Sequence, residues 1–263
     1  MQRWSLKRKL LLFGIAPAFA VMMLISAFML VSISAAHRQS AGLYDTLGQL
    51  LHFDANAPEA PETQEEETFT LPAHITLPAV DFDALAEINP NVVAWLMLDG
   101  TPINYPVVQG TNNTHYLRHL FDGRRNAAGA IFVDSFNQPG FVDRHTVIYG
   151  HYMRNGTMFA ALQRYGTQEF FEEHPWIFLL TPQRNYVIEL VAGYTANVRQ
   201  SSWRLEFDDD AQVEDWIAER ISRSDFTSEV VTRPTDRFVT LSTCSSAFQN
   251  ARHVVVGRLI PIA

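Results

Sequence analysis

Phe238-Val239-Thr240-Leu241-Ser242-Thr243-Cys244 and, a few residues on, Asn250-Ala251-Arg252-His253-Val254-Val255-Val256-Gly257 decide how this chain reads. Both runs are rich in β-branched residues, and a short loop separates them, as expected for two neighbouring strands (Arg237–Ser242 and His253–Ile260). Cys244 then closes one strand and Arg252 opens the next, so the two side chains belong to the same rim of a sheet. Cys244 is also the only cysteine in the 263 residues. The N-terminus places it outside the membrane. A thiol with no partner for an internal disulfide is there either inert or used.

Working back from this pair, short β-rich runs are broken by turn residues. Further expected strands are Ile103–Val108, Ala130–Val133, Thr146–Tyr149, Trp176–Leu180 and Tyr186–Val198, punctuated by Asp99-Gly100, Gln109-Gly110, Asp122-Gly123 and Asn155-Gly156. Phe82, Leu85, Ala86 and Ile88 give a short helical face that Asn89-Pro90 ends. A helix is expected over Met158–Tyr165, with Thr157 as its N-cap. Another is expected over Ala211–Ser222, with Val213, Trp216, Ile217 and Ile221 at helical spacing after Asp208-Asp209-Asp210. Many short strands with few helices predict a mainly β fold with α insertions, a barrel or a sandwich.

The N-terminus carries a second signal. Arg3, Lys7, Arg8 and Lys9 precede the uncharged stretch from Leu10 to Ala36, 27 residues or about 40 Å as a helix. That spans a bilayer with tilt, and the basic flank holds residues 1–9 in the cytoplasm. Ser34-Ala35-Ala36 would suit a signal peptidase, but the apolar run exceeds the roughly 7–15 residues of a cleaved signal, which favours an anchor over 10–36. Residues 37–53 suit a short amphipathic helix. Asp54 to Val80, with four prolines and Glu65-Glu66-Glu67, reads as an extended stalk. Residues 37–80 therefore link the anchor to a folded domain at 81–263.

The formal net charge of −8 argues against a nucleic-acid partner. There is no phosphate-cradling glycine motif, and no cofactor is indicated. His115 and His119 could share a helix face as metal ligands, but no HExxH pattern surrounds them, and the acidic runs lack the alternation of a calcium loop; no metal is expected. What the chain does offer is a thiol, an imidazole at His151 after the Thr146–Tyr149 strand, and a guanidinium at Arg252. A nucleophile, a general acid–base and a cation for a developing oxyanion form a chemically complete acyl-transfer set. Each residue alone also has an ordinary structural reading.

Thr240-Leu241-Ser242-Thr243-Cys244 is similar to the TLxTC signature of sortases, the cysteine transpeptidases of Gram-positive cell surfaces. Tyr149-Gly150-His151 resembles their histidine segment, and Asn250–Gly257 the strand carrying their arginine. Trp95, Thr101 to Gly110, Tyr116-Leu117, Gly129 to Asp134 and Gly156 to Phe159 resemble class B sortases in particular. The resemblance covers about 89–259. His151 is followed by Tyr152 where many class B members carry Asn, which leaves the imidazole unchanged.

The resemblance implies a sortase-type eight-stranded β-barrel with N-terminal helices and a helix in the connection between Val198 and Arg237. It implies Cys244 as nucleophile, His151 as acid and base, and Arg252 as the group that holds the peptide and the oxyanion. The thiol would rest largely protonated. The partners it implies are surface proteins bearing a sorting signal and an amine of a peptidoglycan precursor or a pilin. Thr195, Trp203, Ser242 and Thr243 are candidates to line the peptide groove, as is Tyr194. A silent binding module of the same fold and a hydrolysing peptidase are the alternatives.

Overall fold

The structure, a computed structural model, describes residues 15–52, 67–199, 201–244 and 251–263. The basic tail, the start of the apolar stretch, the stalk residues 53–66 and Asn250 lie outside the described residues. The chain forms two compact units, 1–43 and 44–263.

Helix α1 runs over Ala16–Gly48, with apolar side chains such as Phe19, Leu24, Phe28 and Val31 exposed around it. It is long and apolar enough to cross a membrane. The separate amphipathic helix expected at 37–53 is instead the end of α1. Nothing between Ala36 and Gly48 breaks a helix except Gly42, which a helix tolerates. Two tight turns then reverse the chain (Gln49 N to Thr46 O, 3.1 Å; Leu50 N to Leu47 O, 3.0 Å). Strand β1 (Leu51–His52) pairs with β2 (Ala79–Val80).

The Asp81 carboxylate caps α2 (Phe82–Ile88) by accepting the Ala84 N–H at 2.9 Å. The barrel follows: β3 (Val92–Met97), β4 (Asn104–Gln109), β5 (Ile131–Val133), β6 (His145–Tyr149), β7 (Trp176–Leu180), β8 (Asn185–Asn197), β9 (Phe238–Cys244) and β10 (Ala251–Pro261). These strands close in the order β10-β8-β7-β3-β4-β5-β6-β9. The pairs β4–β5 and β6–β9 are parallel and the rest antiparallel. Seven of these strands fall within one or two residues of the sequence expectation. The eighth, β3, was not expected.

The helix expected over Met158–Tyr165 is not formed. Met158 has φ 56°, outside helical space, and the chain makes a 3-10 turn over Ala160–Gly166 instead. Thr157 does not cap it; its hydroxyl donates to Asn155 Oδ1 at 2.8 Å. A helix α3 (Gln168–Glu173), capped by Thr167, follows that turn. Helix α4 (Asp210–Ser222) matches its expected place and buries the expected Val213, Trp216 and Ile217, but the last inward position is Arg220, while Ile221 is 40% exposed. A helix repeat of 3.6 residues puts position 220, not 221, one heptad from Val213. The buried Arg220 guanidinium donates to Trp216 O (3.1 Å), Glu219 (2.6 Å) and Ser201 Oγ (2.6 Å), tying α4 to the connection after β8.

At the opposite end of β10 from Arg252, Arg258 donates to Glu189 at 2.8 Å and to Glu67 at 3.1 Å. Phe69 beside it pairs with Ile262 and packs edge-on against Trp176, so the residues just after 66 lie on the barrel.

Candidate active site

Register builds the site. In the antiparallel β9–β10 pair, Cys244 stands opposite Arg252. In the parallel β6–β9 pair, Tyr149 stands opposite Ser242, and the Gly150 N–H donates to Ser242 O at 3.1 Å. Parallel strands advance together, so the chain leaving β6 delivers His151 to the rim where β9 ends at Cys244. His151, distant in sequence, thus reaches the rim that Cys244 and Arg252 share.

Gly150 makes this approach possible. A Cβ there would lie 2.6 Å from Ile131 Cδ1 and 2.6 Å from the Phe159 ring, closer than carbon atoms pack. The half-buried His151 is then held on both sides. Its backbone carbonyl accepts the Phe159 N–H at 2.9 Å, and its Nε2 lies 2.7 Å from the Leu117 carbonyl oxygen. A carbonyl can only accept, so Nε2 carries the hydrogen of the neutral imidazole.

Two adjoining clefts share Tyr149, Ser242 and Arg252. The first, about 210 Å³, adds Asn113, Leu117, His151 and Thr243. The second, about 520 Å³, adds Val198, Ser201, Trp203 and Arg204. Of the groove candidates, Ser242, Thr243 and Trp203 therefore line a cleft. The Trp203 indole N–H donates to Ser242 Oγ at 3.0 Å. Thr195 lines neither cleft: it sits on β8 opposite His253. Tyr194 is also corrected. It is 2% exposed and shares a 3.0 Å hydrogen bond with Ser202, which makes it core that supports the connection rather than groove wall.

Between the clefts, the Tyr149 hydroxyl donates to Asp134 at 2.8 Å. Burial first, then the Asp134 charge, raises its pKa, so it stays a neutral donor. Asp134 is thereby engaged by Tyr149, and Asp143 by Asn137 and Gln138. His115 and His119 stack face to face at 4.2 Å, and His119 Nδ1 donates to the His115 carbonyl at 2.7 Å, which leaves that nitrogen unable to bind a metal. Asn113 and Leu117 were not singled out from sequence as site residues; they reach the site from the irregular segment between β4 and β5.

A mainly β barrel whose rim gathers a cysteine, a histidine and an arginine defines a class of cysteine acyltransferases. The chain belongs to the sortase family: the Sortase domain matches residues 96–260. Within it the similarity is to class B. Sortase B of Listeria monocytogenes is 34% identical over 178 residues, covering 67% of this chain and 72% of its own. The Staphylococcus aureus sortase B–substrate complex matches with TM-score 0.66 and 33% identity, over 69% of this chain and 85% of that one. Sortase B from B. anthracis in complex with AAEK1 matches with TM-score 0.72 and 26% identity, over 87% of this chain and all of its own. The chain is a cysteine transpeptidase.

Proposed function

We propose that this transpeptidase works with Cys244, His151 and Arg252, cleaving a sorting-signal peptide and joining it to an amine of a peptidoglycan precursor or a pilin. Cys244 gives its Sγ proton to His151 Nδ1 and attacks the scissile carbonyl carbon, and the carbon–nitrogen bond of the resulting tetrahedral oxyanion then breaks. The leaving amine takes its proton from His151, and a thioester remains. The incoming amine attacks that thioester, gives a proton to His151 Nδ1, and releases the thiolate. Arg252 binds the oxygen that becomes negative in both steps. In the same reading, Trp203, Ser242 and Thr243 contact the peptide. Residues 10–36 anchor the chain, with 1–9 in the cytoplasm and 81–263 outside, carried on 37–80.

The observation that carries this reading is the register of β6, β9 and β10, which leaves these three positions at one rim. The test uses the full chain in detergent micelles, wild type and Cys244→Ala, with fluorogenic peptides of NPxTx and LPxTx type. Each is run with and without a diaminopimelate-type or glycine amine. Cleavage by wild type alone, with a joined product when amine is present, is expected. Equal traces from both proteins would remove Cys244 from the mechanism, and cleavage without any joined product would make the chain a hydrolase.

A further inference from the structure

Tyr44, in the last turns of α1, lies 52 residues before the Sortase match begins at 96. It belongs to the same compact unit as the site, 44–263. Two of the contacts that its side chain makes lead to His151.

The first passes through the hydroxyl, which donates to Gly129 O at 3.0 Å. Gly129 has φ 60° and presses on the peptide between Tyr116 and Leu117: a Cβ there would lie 2.4 Å from Tyr116 O and 3.0 Å from Leu117 O. The next residue, Ala130, donates its N–H to Tyr116 O at 2.9 Å. The Leu117 carbonyl, one residue along from the one that Ala130 holds, is the acceptor of His151 Nε2 at 2.7 Å.

The second passes through the ring. Tyr44 packs edge-on against Tyr105, centroids 4.9 Å apart at 80°. The Tyr105 hydroxyl accepts the Met158 N–H at 3.0 Å. Met158 bridges back to Tyr152, and the Phe159 N–H donates to His151 O at 2.9 Å. One contact therefore fixes the carbonyl that sets the imidazole's tautomer and tilt. The other fixes the backbone from which the imidazole hangs.

We infer that Tyr44 is a positioning residue for His151, acting through Gly129 and Leu117 on the side chain and through Tyr105 and Met158 on the backbone. It touches no reacting atom. Its effect is on which nitrogen His151 presents and at what angle, and so on proton transfer more than on peptide affinity. The inference rests on the reading of His151 as the acid and base.

The test uses the full chain in micelles. Tyr44→Phe removes only the hydroxyl contact, and Tyr44→Leu removes both. Because Cys244 is the sole cysteine, its alkylation by iodoacetamide can be followed by intact mass across pH. Tyr44→Phe is expected to lower kcat for peptide cleavage three- to tenfold with KM unchanged, and to displace the pH midpoint of alkylation. Tyr44→Leu is expected to lose a further tenfold. If Tyr44→Phe keeps both the wild-type kcat and the wild-type pH profile, the inference is overturned. A lowered melting temperature with that profile intact would overturn it too, by giving Tyr44 a purely structural part. His151→Ala separates the levels: if it alkylates with the wild-type pH profile, the reading of His151 itself fails, whatever Tyr44 does.

Discussion

Gly150→Ala tests how tightly the site is seated. The added methyl would lie 2.6 Å from Ile131 Cδ1 and from the Phe159 ring, both fully buried. Carbon atoms rest about 3.5–4.0 Å apart, so roughly 1 Å of relief is needed. Buried neighbours give little, and overpacking of this kind costs about 1–3 kcal/mol. In a domain of this size that lowers the melting temperature by roughly 2–12 °C. The easier relief is for residues 150 and 151 to shift outward, away from the 2.7 Å contact with Leu117 O. Misplacement of a reacting group by about 1 Å costs on the order of 100-fold. The expected result is therefore a protein that is folded at 25 °C, with kcat/KM for the cleaved peptide down about 100-fold. Adding Ile131→Val, which removes the Cδ1 atom and with it one of the overlaps, should recover part of that loss. Folded Gly150→Ala with wild-type kcat/KM would refute the reasoning, because His151 would then not depend on the close approach.

Three other outcomes are expected. His145 is fully buried between Arg204 O (2.6 Å) and Thr240 Oγ1 (2.7 Å), and burial pushes its pKa down to about 4; His253 is pushed down to about 4 as well, also by burial. Both are neutral in the fold while the unfolded chain protonates near 6.5, so stability is full above that pH and is lost as pH falls toward 4, by about 3 kcal/mol per group. Urea midpoints across pH 4–7 should show that slope, and a flat profile would contradict it. Arg258→Met strands Glu189 and, in part, the more exposed Glu67 at the far end of the barrel. It should cost about 1–3 kcal/mol in urea unfolding with kcat at 25 °C unchanged; an unchanged midpoint would show the cluster to be decorative. Trp203→Phe removes the 3.0 Å bond to Ser242. It should raise KM for the peptide about two- to tenfold with little effect on kcat, by the loss of one hydrogen bond; an unchanged KM would take Trp203 out of the groove.

The barrel was legible where the sequence alternates or ends on turn residues. The runs now seen as β4 and β6 to β10 are bounded by Gly, Asn, Asp or Pro. β3 was not legible because Ala94, Trp95 and Leu96 are buried in succession, so the strand shows no period-two pattern and looks like the tail of α2. Met158 misled in the opposite sense: an apolar run that scans as helix starts on a residue with positive φ, which no pattern reports. At the site, Cys244, His151 and Arg252 sit at strand ends, where turn signals point. Asn113 and Leu117 sit in a segment without periodicity, and Leu117 meets His151 across 34 residues. Arg220 shows the same limit in the core: its period was visible, its charge argued for the surface, and hydrogen bonds settled the matter.

The barrel closes through β9 and β10, so it has no edge strand. An enzyme that handles extended polypeptide segments runs the risk of capturing them by backbone pairing, as an exposed sheet edge captures any chain of suitable length. Closure removes that mode of capture. In the proposed function a peptide is read instead by side chains in the two clefts beside Arg252. Such contacts discriminate by sequence. The same ladders that align the rim residues thus keep the surface from holding on to its own product.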